Sequence, residues 1–296
     1  MGRRRITASP PEKSGDLSVT ALYTSQAWVW GKLKCAELFE TPEGRAVFSW
    51  TNGALWIARL FSWQLRSLKH SLIARHVLID RLLGRSKIQH VLELASGLSR
   101  RGAAVSEDPA VHYTEVDLPH VAQKKRELLA RTDSGKAIQE RPNWQLAEGD
   151  VTEVQLETLL ATEEPRFVIA EGLMMYFQPD EQRALWLRIA GLLSRGAGGV
   201  FAFDLVPWVE QPKPGPIGRA LEWLMKRFTK GQSFERDTRT RQDIQRDLEA
   251  AGFDLVTPLE PCEVGADWSL PHLDVPTQQL VFVCYRGHAL IEPGGP

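Results

Sequence analysis

Cysteine is scarce in this sequence of 296 residues, and the few that occur lie far apart. There are three, Cys35, Cys262 and Cys284, an odd number with no CxxC spacing. A disulfide-held scaffold and a structural zinc site would both need pairs or clusters of cysteine. The chain is therefore expected to belong to a reducing cytoplasm and to be stabilised by a core drawn from its 43% of hydrophobic residues.

Net charge is also nearly absent, because 36 Lys and Arg stand against 37 Asp and Glu. A nucleic-acid binder usually needs a basic excess, so nucleic acid is not an expected partner. The longest uncharged stretch, 17–31, is shorter than the roughly 18–20 apolar residues of a membrane span. No membrane partner is expected. Only two asparagines occur, Asn52 and Asn143, and both are misplaced for a carboxylate–asparagine metal site, so no metal is expected.

The sequence changes character once, near residue 86. A disordered tail is predicted at 1–16, and the helical periodicity of 17–85 predicts an N-terminal helical cap. Over 86–290, short β-rich segments alternate with helical ones, which is typical of an α/β fold with a doubly wound parallel sheet. The predicted strands are 90–94, 111–116, 144–147, 167–170, 200–203, 253–256 and 280–285.

An insertion rich in proline and glycine interrupts this alternation at 207–232. It would lie beside the ends of the sheet, where loops often carry function. The cap and the insertion together hold seven of the ten tryptophans. These side chains could enclose an apolar pocket or could simply pack the helices onto the sheet. Specificity for the substrate is therefore expected to reside in these two segments.

A tight turn follows the first predicted strand, in the sequence VLELASGLS. Ala95 and Gly97 are small enough for the backbone to turn sharply and for a ligand to approach it. A dinucleotide site would have a third glycine where this chain has Arg100, which weakens the pyrophosphate hypothesis. Glu93, inside the strand end, would repel phosphates but could accept hydrogen bonds from a cationic amino-acid group.

An acid closes the second predicted strand, twenty residues after Gly97. This residue, Asp117, stands where a doubly wound fold can bind both ribose hydroxyls of a nucleotide. Glu115 shares its strand face, because side chains alternate with a period of two. Asp117 is the expected ligand, since it lies at the strand end, where the crevice opens.

Acids also follow the third and fourth predicted strands. Asp150 could accept a hydrogen bond from an adenine amino group while Val151 packs on the ring, or Asp150 could cap a turn. Both interpretations stay open. Glu171 follows four apolar residues, and an unpaired carboxylate there would be costly. It is therefore expected to meet a partner, either in the crevice or in a structural ion pair.

Four segments together resemble the leucine carboxyl methyltransferase family, which includes bacterial O-methyltransferases of the tetracenomycin type. They are VLELASGLSRR, YTEVDLPHVAQKKRELL, AEGD and IAEGLMMYFQPDEQ. The resemblance extends over about 90–205, and the helical cap matches more loosely. It implies a class I, Rossmann-like methyltransferase with a seven-stranded, mainly parallel sheet. It also implies S-adenosylmethionine as cofactor and a place in secondary metabolism.

The resemblance also assigns positions to the cofactor. It places Gly97 in the cofactor loop, Asp117 at the ribose, and Glu171 on the amino-acid side. Arg75 is the best match for the arginine that holds the methionine carboxylate. Two departures are Ala95, where the family usually has glycine, and Ser99, where many members have aspartate. With Glu93 included, the predicted cofactor residues are Arg75, Glu93, Ala95, Gly97, Asp117, Leu118, Asp150, Val151 and Glu171.

These residues predict methyl transfer to an oxygen of a small molecule, either a hydroxyl or a carboxylate of an aromatic or polyketide-like acceptor. A carboxylate needs no general base, whereas a phenol gains from one, and no catalytic residue is assigned. His272 and Asp274 form one candidate pair of base and orienting acid. The candidates for contacting the acceptor are Tyr176, Trp208, Arg239 and Arg241.

Two other hypotheses stay open. A nicotinamide-dependent oxidoreductase would also have a doubly wound fold, but Arg100 replaces the glycine that its phosphates need. The other hypothesis is a non-catalytic module that keeps the cofactor pocket as a scaffold. The retained acids Asp117, Asp150 and Glu171 count against loss of the pocket.

Overall fold

The computed structural model describes residues 17–61, 68–211, 237–268 and 279–287. The predicted tail at 1–16 and most of the predicted insertion, from 212 to 232, lie outside these residues. So do Trp63, Trp223, His272 and Asp274.

Seven strands form one sheet in the order β3-β2-β1-β4-β5-β7-β6. β7 is antiparallel to both β5 and β6, and the remaining pairs are parallel. The predicted seven-stranded, mainly parallel sheet is thereby confirmed. The strands are β1 His90–Leu94, β2 His112–Asp117, β3 Trp144–Glu148, β4 Arg166–Ala170, β5 Gly199–Leu205, β6 Leu255–Leu259 and β7 Leu280–Arg286.

Ten α-helices flank the sheet or precede it within the described part of the chain. Short 3₁₀ turns follow β4 at Met174–Tyr176 and β5 at Trp208–Glu210. The helices are α1 Val19–Trp30, α2 Pro42–Phe61, α3 Leu68–Ser86, α4 Arg101–Val105, α5 Pro119–Leu129, α6 Asp133–Gln139, α7 Leu156–Leu159, α8 Pro179–Leu193, α9 Arg241–Ala250 and α10 Pro261–Trp268. None of the described helices is both long and apolar enough to cross a membrane.

The strand side chains alternate between two apolar layers, as the period of two requires. On one face, Leu92 and Phe203 pack in a cluster that includes Trp186 of α8. On the other face, Val91 and Ile169 belong to a cluster that includes Ile79 of α3. Thus α3 covers the sheet directly, and the predicted boundary between cap and sheet domain at 85/86 stays a prediction.

The strand order reverses between β1 and β4, because the chain runs outward through β2 and β3 and then returns to the other side of β1. The crevice at the carboxyl ends of such strands is the general ligand site of open α/β sheets. The residues at the carboxyl ends of β1, β2, β4 and β5 are therefore the candidates for a ligand site.

Candidate functional site

The turn after β1 has a left-handed backbone at two positions. Ala95 has φ 50° and Gly97 has φ 52°, a conformation that glycine adopts without the steric cost paid by residues with a Cβ. A Cβ placed on Gly97 would meet no heavy atom within 4 Å. The backbone of this turn therefore faces open space, where a ligand can approach it.

Asp117, at the end of β2, is bound to that turn. Its Oδ2 accepts a hydrogen bond of 2.6 Å from the backbone N–H of Gly97, and its Oδ1 accepts one of 2.7 Å from Leu118. Burial raises the pKa of Asp117, and these two N–H groups lower it in part. Each carboxylate oxygen has two acceptor sites, so each keeps one for a further donor such as a ribose hydroxyl. Leu118, beside it, is exposed.

Glu115, one face position earlier on β2, has a different role. Its carboxylate forms a fully buried ion pair with Lys125 of α5. Gly102 must be glycine here, because an added Cβ would lie 1.9 Å from Oε1 of Glu115. Glu115 thus joins α5 to the sheet, while Asp117 is the acid of β2 that lies at the crevice.

A second group of charges lies across the crevice, after β4 and β5. Arg75 of α3 donates from Nε and Nη2 to Oε1 of Glu171, at 3.0 and 2.9 Å. Its Nη1 donates to Oδ2 of Asp204 at 2.7 Å. Oδ1 of Asp204 in turn accepts the backbone N–H of Gly172 at 2.5 Å. Arg75 and Glu171, two of the predicted cofactor residues, are therefore in contact, and Asp204 joins them.

The guanidinium of Arg75 keeps donors to spare. Five N–H groups are present, and contacts with Glu171 and Asp204 use three of them, so one on Nη1 and one on Nη2 have no partner among the described residues. A Cβ on Gly172, which has φ 71°, would lie 3.7 Å from Nη2 and 3.9 Å from Nη1. A side chain at position 172 would thus stand over these donors. The spare N–H groups suit a bidentate carboxylate.

Glu171 is saturated by protein donors. Its Oε2 accepts from Nη2 of Arg101 at 2.7 Å and lies 2.8 Å from Nδ1 of His76. Burial alone would raise the pKa of Glu171, but His76, Arg75 and Arg101 hold it well below its usual value. Glu171 therefore orients the arginines, and the predicted contact of its carboxylate with a cofactor stays a prediction.

His76 is fully buried between Glu171 and two arginines. Burial holds the pKa of His76 well below 6.5 and outweighs Glu171, which raises it, while Arg101 and Arg100 lower it as burial does. Its Nδ1 faces Glu171, and its Nε2 accepts from Nε of Arg100 at 3.1 Å. Nδ1 also lies 3.0 Å from Nη2 of Arg101, but that nitrogen donates to Glu171, so a proton on Nδ1 fits the contacts with Glu171 and Arg100. The ring of Trp28 from α1 lies 4.4 Å away, centroid to centroid, so the N-terminal helices reach this site.

Arg101 connects the strands beneath the turn. It is fully buried and donates to Oδ1 of Asp80 and Oε1 of Glu93, each at 2.6 Å, as well as to Glu171. Burial lowers the pKa of Arg101, but the nearby carboxylates of Glu93 and Glu171 raise it by more, so the guanidinium stays charged. Glu93 also accepts the Tyr113 hydroxyl at 2.8 Å. Glu93 thus lies below the crevice with each oxygen bound to a protein donor.

Arg100 fills the position of the missing third glycine. It forms an ion pair with Asp80 and donates to His76. Burial, together with the adjacent charge of Arg101, lowers the pKa of Arg100 to about 10. The residue at the third-glycine position is therefore a large side chain whose guanidinium is paired within the protein, not the glycine of the dinucleotide motif.

After β3, the structure shows a turn capped by Asp150. Its Oδ1 accepts the backbone N–H of Thr152 at 2.8 Å and the hydroxyl of Thr152 at 2.7 Å. Asp150 is exposed, and its Oδ2 accepts no hydrogen bond from any described residue. Val151 is buried in the core. The turn interpretation is therefore confirmed, and the contact of Asp150 and Val151 with adenine stays a prediction.

The four acceptor candidates have diverse surroundings. Burial raises the pKa of Tyr176, whose side chain is hydrogen-bonded to Thr20 of α1. Trp208 is half-buried in the turn after β5. Arg239 is bound by Asp237, Asp247 and Gln182, and Arg241 by Glu210 and Glu260. Their contact with an acceptor stays a prediction.

Sequence reasoning missed three members of this site: His76, Arg101 and Asp204. Asp204 carries the same signal as Glu171, an acid at the end of a buried strand, and could have been found by it. Arg101 stands in a pair with Arg100, and nothing in the sequence separates the two. His76 directly follows Arg75, but only the folded chain shows that both nitrogens are engaged.

Comparison with known proteins identifies a matching family and structures of similar fold. The sequence profile of the family described as leucine carboxyl methyltransferase matches residues 34–190, more than half of the chain. A methyltransferase candidate from Thermobifida fusca YX is 17% identical, with a TM-score of 0.54 over 92% of this chain and 96% of that one. A candidate exported protein from Bordetella parapertussis is 15% identical, with a TM-score of 0.55 over 93% and 97%.

A third structure, an O-methyltransferase candidate from Nostoc punctiforme PCC 73102, is 17% identical, with a TM-score of 0.50. The alignment covers 79% of this chain but only 60% of that protein, so the chain spans less than two thirds of its length. Among curated proteins, none matches this sequence. At these identities the solved structures show a shared fold.

Proposed function

Because the chain belongs to the leucine carboxyl methyltransferase family, we propose that it transfers a methyl group to an oxygen of a small-molecule acceptor. Its fold is the class I, Rossmann-like methyltransferase fold, and its cofactor is S-adenosylmethionine. We expect it to act in a reducing compartment, the cytoplasm, because its three cysteines are odd in number and widely spaced in the sequence.

The fit of the cofactor rests on one observation, the spare donors of Arg75 beside Gly172. A buried guanidinium with an unused N–H on each terminal nitrogen matches the carboxylate of an amino acid. Across the crevice, Asp117 offers acceptor sites to ribose hydroxyls. Arg75 therefore suits the amino-acid end of S-adenosylmethionine, and Asp117 suits its nucleoside end.

The residues of the chain then have separable roles. When bound, S-adenosylmethionine supplies an already electrophilic methyl group, so the protein mainly positions the acceptor in line with it. Arg75 binds the carboxylate, Glu171 and Asp204 orient Arg75, and Asp117 holds the ribose. Asp150 and Val151 receive the adenine ring.

The acceptor is expected to enter beside the N-terminal helices. Trp28 of α1 packs on His76, and Thr20 of the same helix contacts Tyr176, so α1 reaches the amino-acid side of the crevice. Aromatic side chains at such a place suit an aromatic or polyketide-like acceptor. The alternative of nicotinamide chemistry is disfavoured by Arg100, which stands in place of the third glycine of the dinucleotide motif and is paired with Asp80.

The experiment is a transfer assay with donor labelled in the methyl group and a panel of phenols and aromatic carboxylic acids. We expect label to reach the organic phase with at least one acceptor. Mild alkali then distinguishes the products, because it releases labelled methanol from an ester and leaves an aryl ether intact. Transfer to none of the panel, by protein that binds the cofactor, would contradict a small aromatic acceptor.

A further inference from the structure

The loop that follows β3, residues 150–154, is held by a side chain from another element. Arg188 of α8 donates from Nη1 to the carbonyl oxygens of Val151 and Thr152, at 2.7 and 2.8 Å. Its Nη2 donates to the carbonyl oxygen of Val154. One guanidinium therefore gathers three of the five carbonyl groups of the loop.

The same loop is closed from within. The carbonyl oxygen of Asp150 accepts the N–H groups of Glu153 and Val154, at 2.9 and 2.8 Å. Oδ1 of Asp150 binds Thr152, as described above. Gly149 donates its N–H to the carbonyl oxygen of Asp117 at 2.9 Å, which joins the loop to the ribose side. The exposed Asp150 carboxylate is thus fixed in direction, with Oδ2 still available.

Arg188 is well suited to this task. Its helix is anchored by Trp186, which is fully buried in the same core cluster as Val151. A guanidinium has several donors in a rigid plane, whereas a lysine ammonium is a single point on a flexible stem. The rigid plane of the guanidinium can therefore hold three carbonyl oxygens in fixed relative positions, and the two partly buried ones, of Val151 and Val154, gain the partner that a buried carbonyl requires.

We propose that Arg188 is a positioning residue for adenine recognition, which shapes the 150–154 loop so that Asp150 and Val151 meet the ring. It acts through the loop and does not touch the cofactor. This inference rests on the proposed function, because it needs the adenine of S-adenosylmethionine to lie at this loop. It extends the binding site to a helix on the far side of the loop from the ligand.

The test compares two ligands by calorimetry: S-adenosylhomocysteine and its inosine counterpart, which has hypoxanthine in place of adenine. Arg188→Met removes all three hydrogen bonds, and Arg188→Lys keeps the charge and at most part of the bonding. Arg183→Met is the matched control, since Arg183 lies on the same helix but pairs with Asp180 and Asp247 at the surface. Thermal melts of each variant establish that it is folded.

Wild-type protein should prefer the adenine ligand, because hypoxanthine lacks the amino group that would donate a hydrogen bond to Asp150. Arg188→Met should lose about tenfold in affinity for S-adenosylhomocysteine and clearly less toward the inosine ligand, which keeps only the ring contact with Val151, so the ratio of the two affinities falls. Arg188→Lys should be intermediate, and it carries the test if the methionine variant does not fold. Arg183→Met should keep both affinities.

An equal loss for both ligands, or no loss, would overturn the inference. A wild-type protein that binds S-adenosylhomocysteine without preference over the inosine ligand would also overturn it while leaving the proposed function intact. A wild-type protein that binds neither ligand would contradict the proposed function itself.

Discussion

Asp117 fixes the turn after β1 and presents the candidate ribose site with the same carboxylate. Its two oxygens accept the N–H groups of Gly97 and Leu118, and each oxygen keeps one further acceptor site. The twenty-residue spacing from Gly97 made this residue visible in the sequence, because a parallel sheet with a crossover helix brings those two strand ends together. The spacing could not show that the carboxylate also stabilises the turn.

Asp117→Ala should therefore weaken binding of S-adenosylhomocysteine by roughly tenfold to a hundredfold. Hydrogen bonds to a charged acceptor are among the strong ones, and two of them are lost with the ribose. Calorimetry measures the affinity, with Asp133→Ala as control, because the Asp133 side chain is fully exposed. Unchanged affinity in Asp117→Ala would mean that the ribose lies elsewhere.

Ala95 carries a backbone cost that glycine would remove. Its φ of 50° costs a residue with a Cβ about 1–2 kcal/mol, which the greater flexibility of unfolded glycine offsets by about 0.5–1 kcal/mol. We expect Ala95→Gly to leave the free energy of unfolding unchanged or raise it slightly. Ala184→Gly, at an exposed site within α8, should lower it by about 1 kcal/mol. Urea denaturation compares the two, and equal losses would contradict a left-handed Ala95.

At the scale of elements, Arg101 connects β1, the end of β4 and α3 through Glu93, Glu171 and Asp80. The predicted strands gave the sheet correctly, because buried parallel strands are short apolar segments between helices. The observed strand bounds differ from the predicted ones by a few residues. For example, β6 was predicted at 253–256 and lies at Leu255–Leu259. The helix α3 also continues past Gly84 to Ser86, and Lys87, directly after it, has a left-handed φ of 57°. Strand and helix ends depend on pairing partners, which a single sequence does not show.

Arg101→Met should lower the free energy of unfolding by about 3–5 kcal/mol, because it leaves buried carboxylates without their cation. The double variant Arg101→Met with Glu93→Gln should recover part of this loss, since one uncompensated charge is removed as well. Chemical denaturation of the single and double variants measures the difference. A double variant that is less stable than Arg101→Met alone would show that the charge of Glu93 is compensated elsewhere.

At the scale of the whole molecule, the buried charges give stability a defined pH dependence. The pKa of His76 is held well below 6.5 by burial, so the folded protein does not take up the proton that the unfolded chain binds. Stability should therefore fall as pH drops below 6.5, by up to about 1.4 kcal/mol per pH unit until the folded pKa is reached. His90, whose pKa is lowered by burial and by His112, adds an effect of the same sign.

His76→Asn should flatten this slope between pH 6.5 and 5, because asparagine keeps a polar contact but does not titrate. His90→Asn serves as the comparison, since His90 lies at the amino end of β1, away from the crevice. Denaturation midpoints across the pH range provide the measurement. An unaltered slope in His76→Asn would show that His76 is protonated in the folded state.

The general form of the molecule followed from the sequence, but the site did so only in part. Asp117, Glu171 and Arg75 were visible because each stands at a fixed place relative to a strand end or a family motif. The roles of His76, Arg101, Arg188 and Asp204 depend on side chains meeting across elements that are distant in sequence. Such contacts have no local signal, and they decide which acids are free to bind a ligand.

The most direct test of the account is calorimetric titration of the full chain with S-adenosylmethionine, S-adenosylhomocysteine and NAD. The spare donors of Arg75 and the acceptor sites of Asp117 predict binding of the first two, and the buried Arg100 predicts none for NAD. Arg75→Met should weaken both S-adenosyl ligands by at least tenfold. Binding of NAD alone would contradict the account.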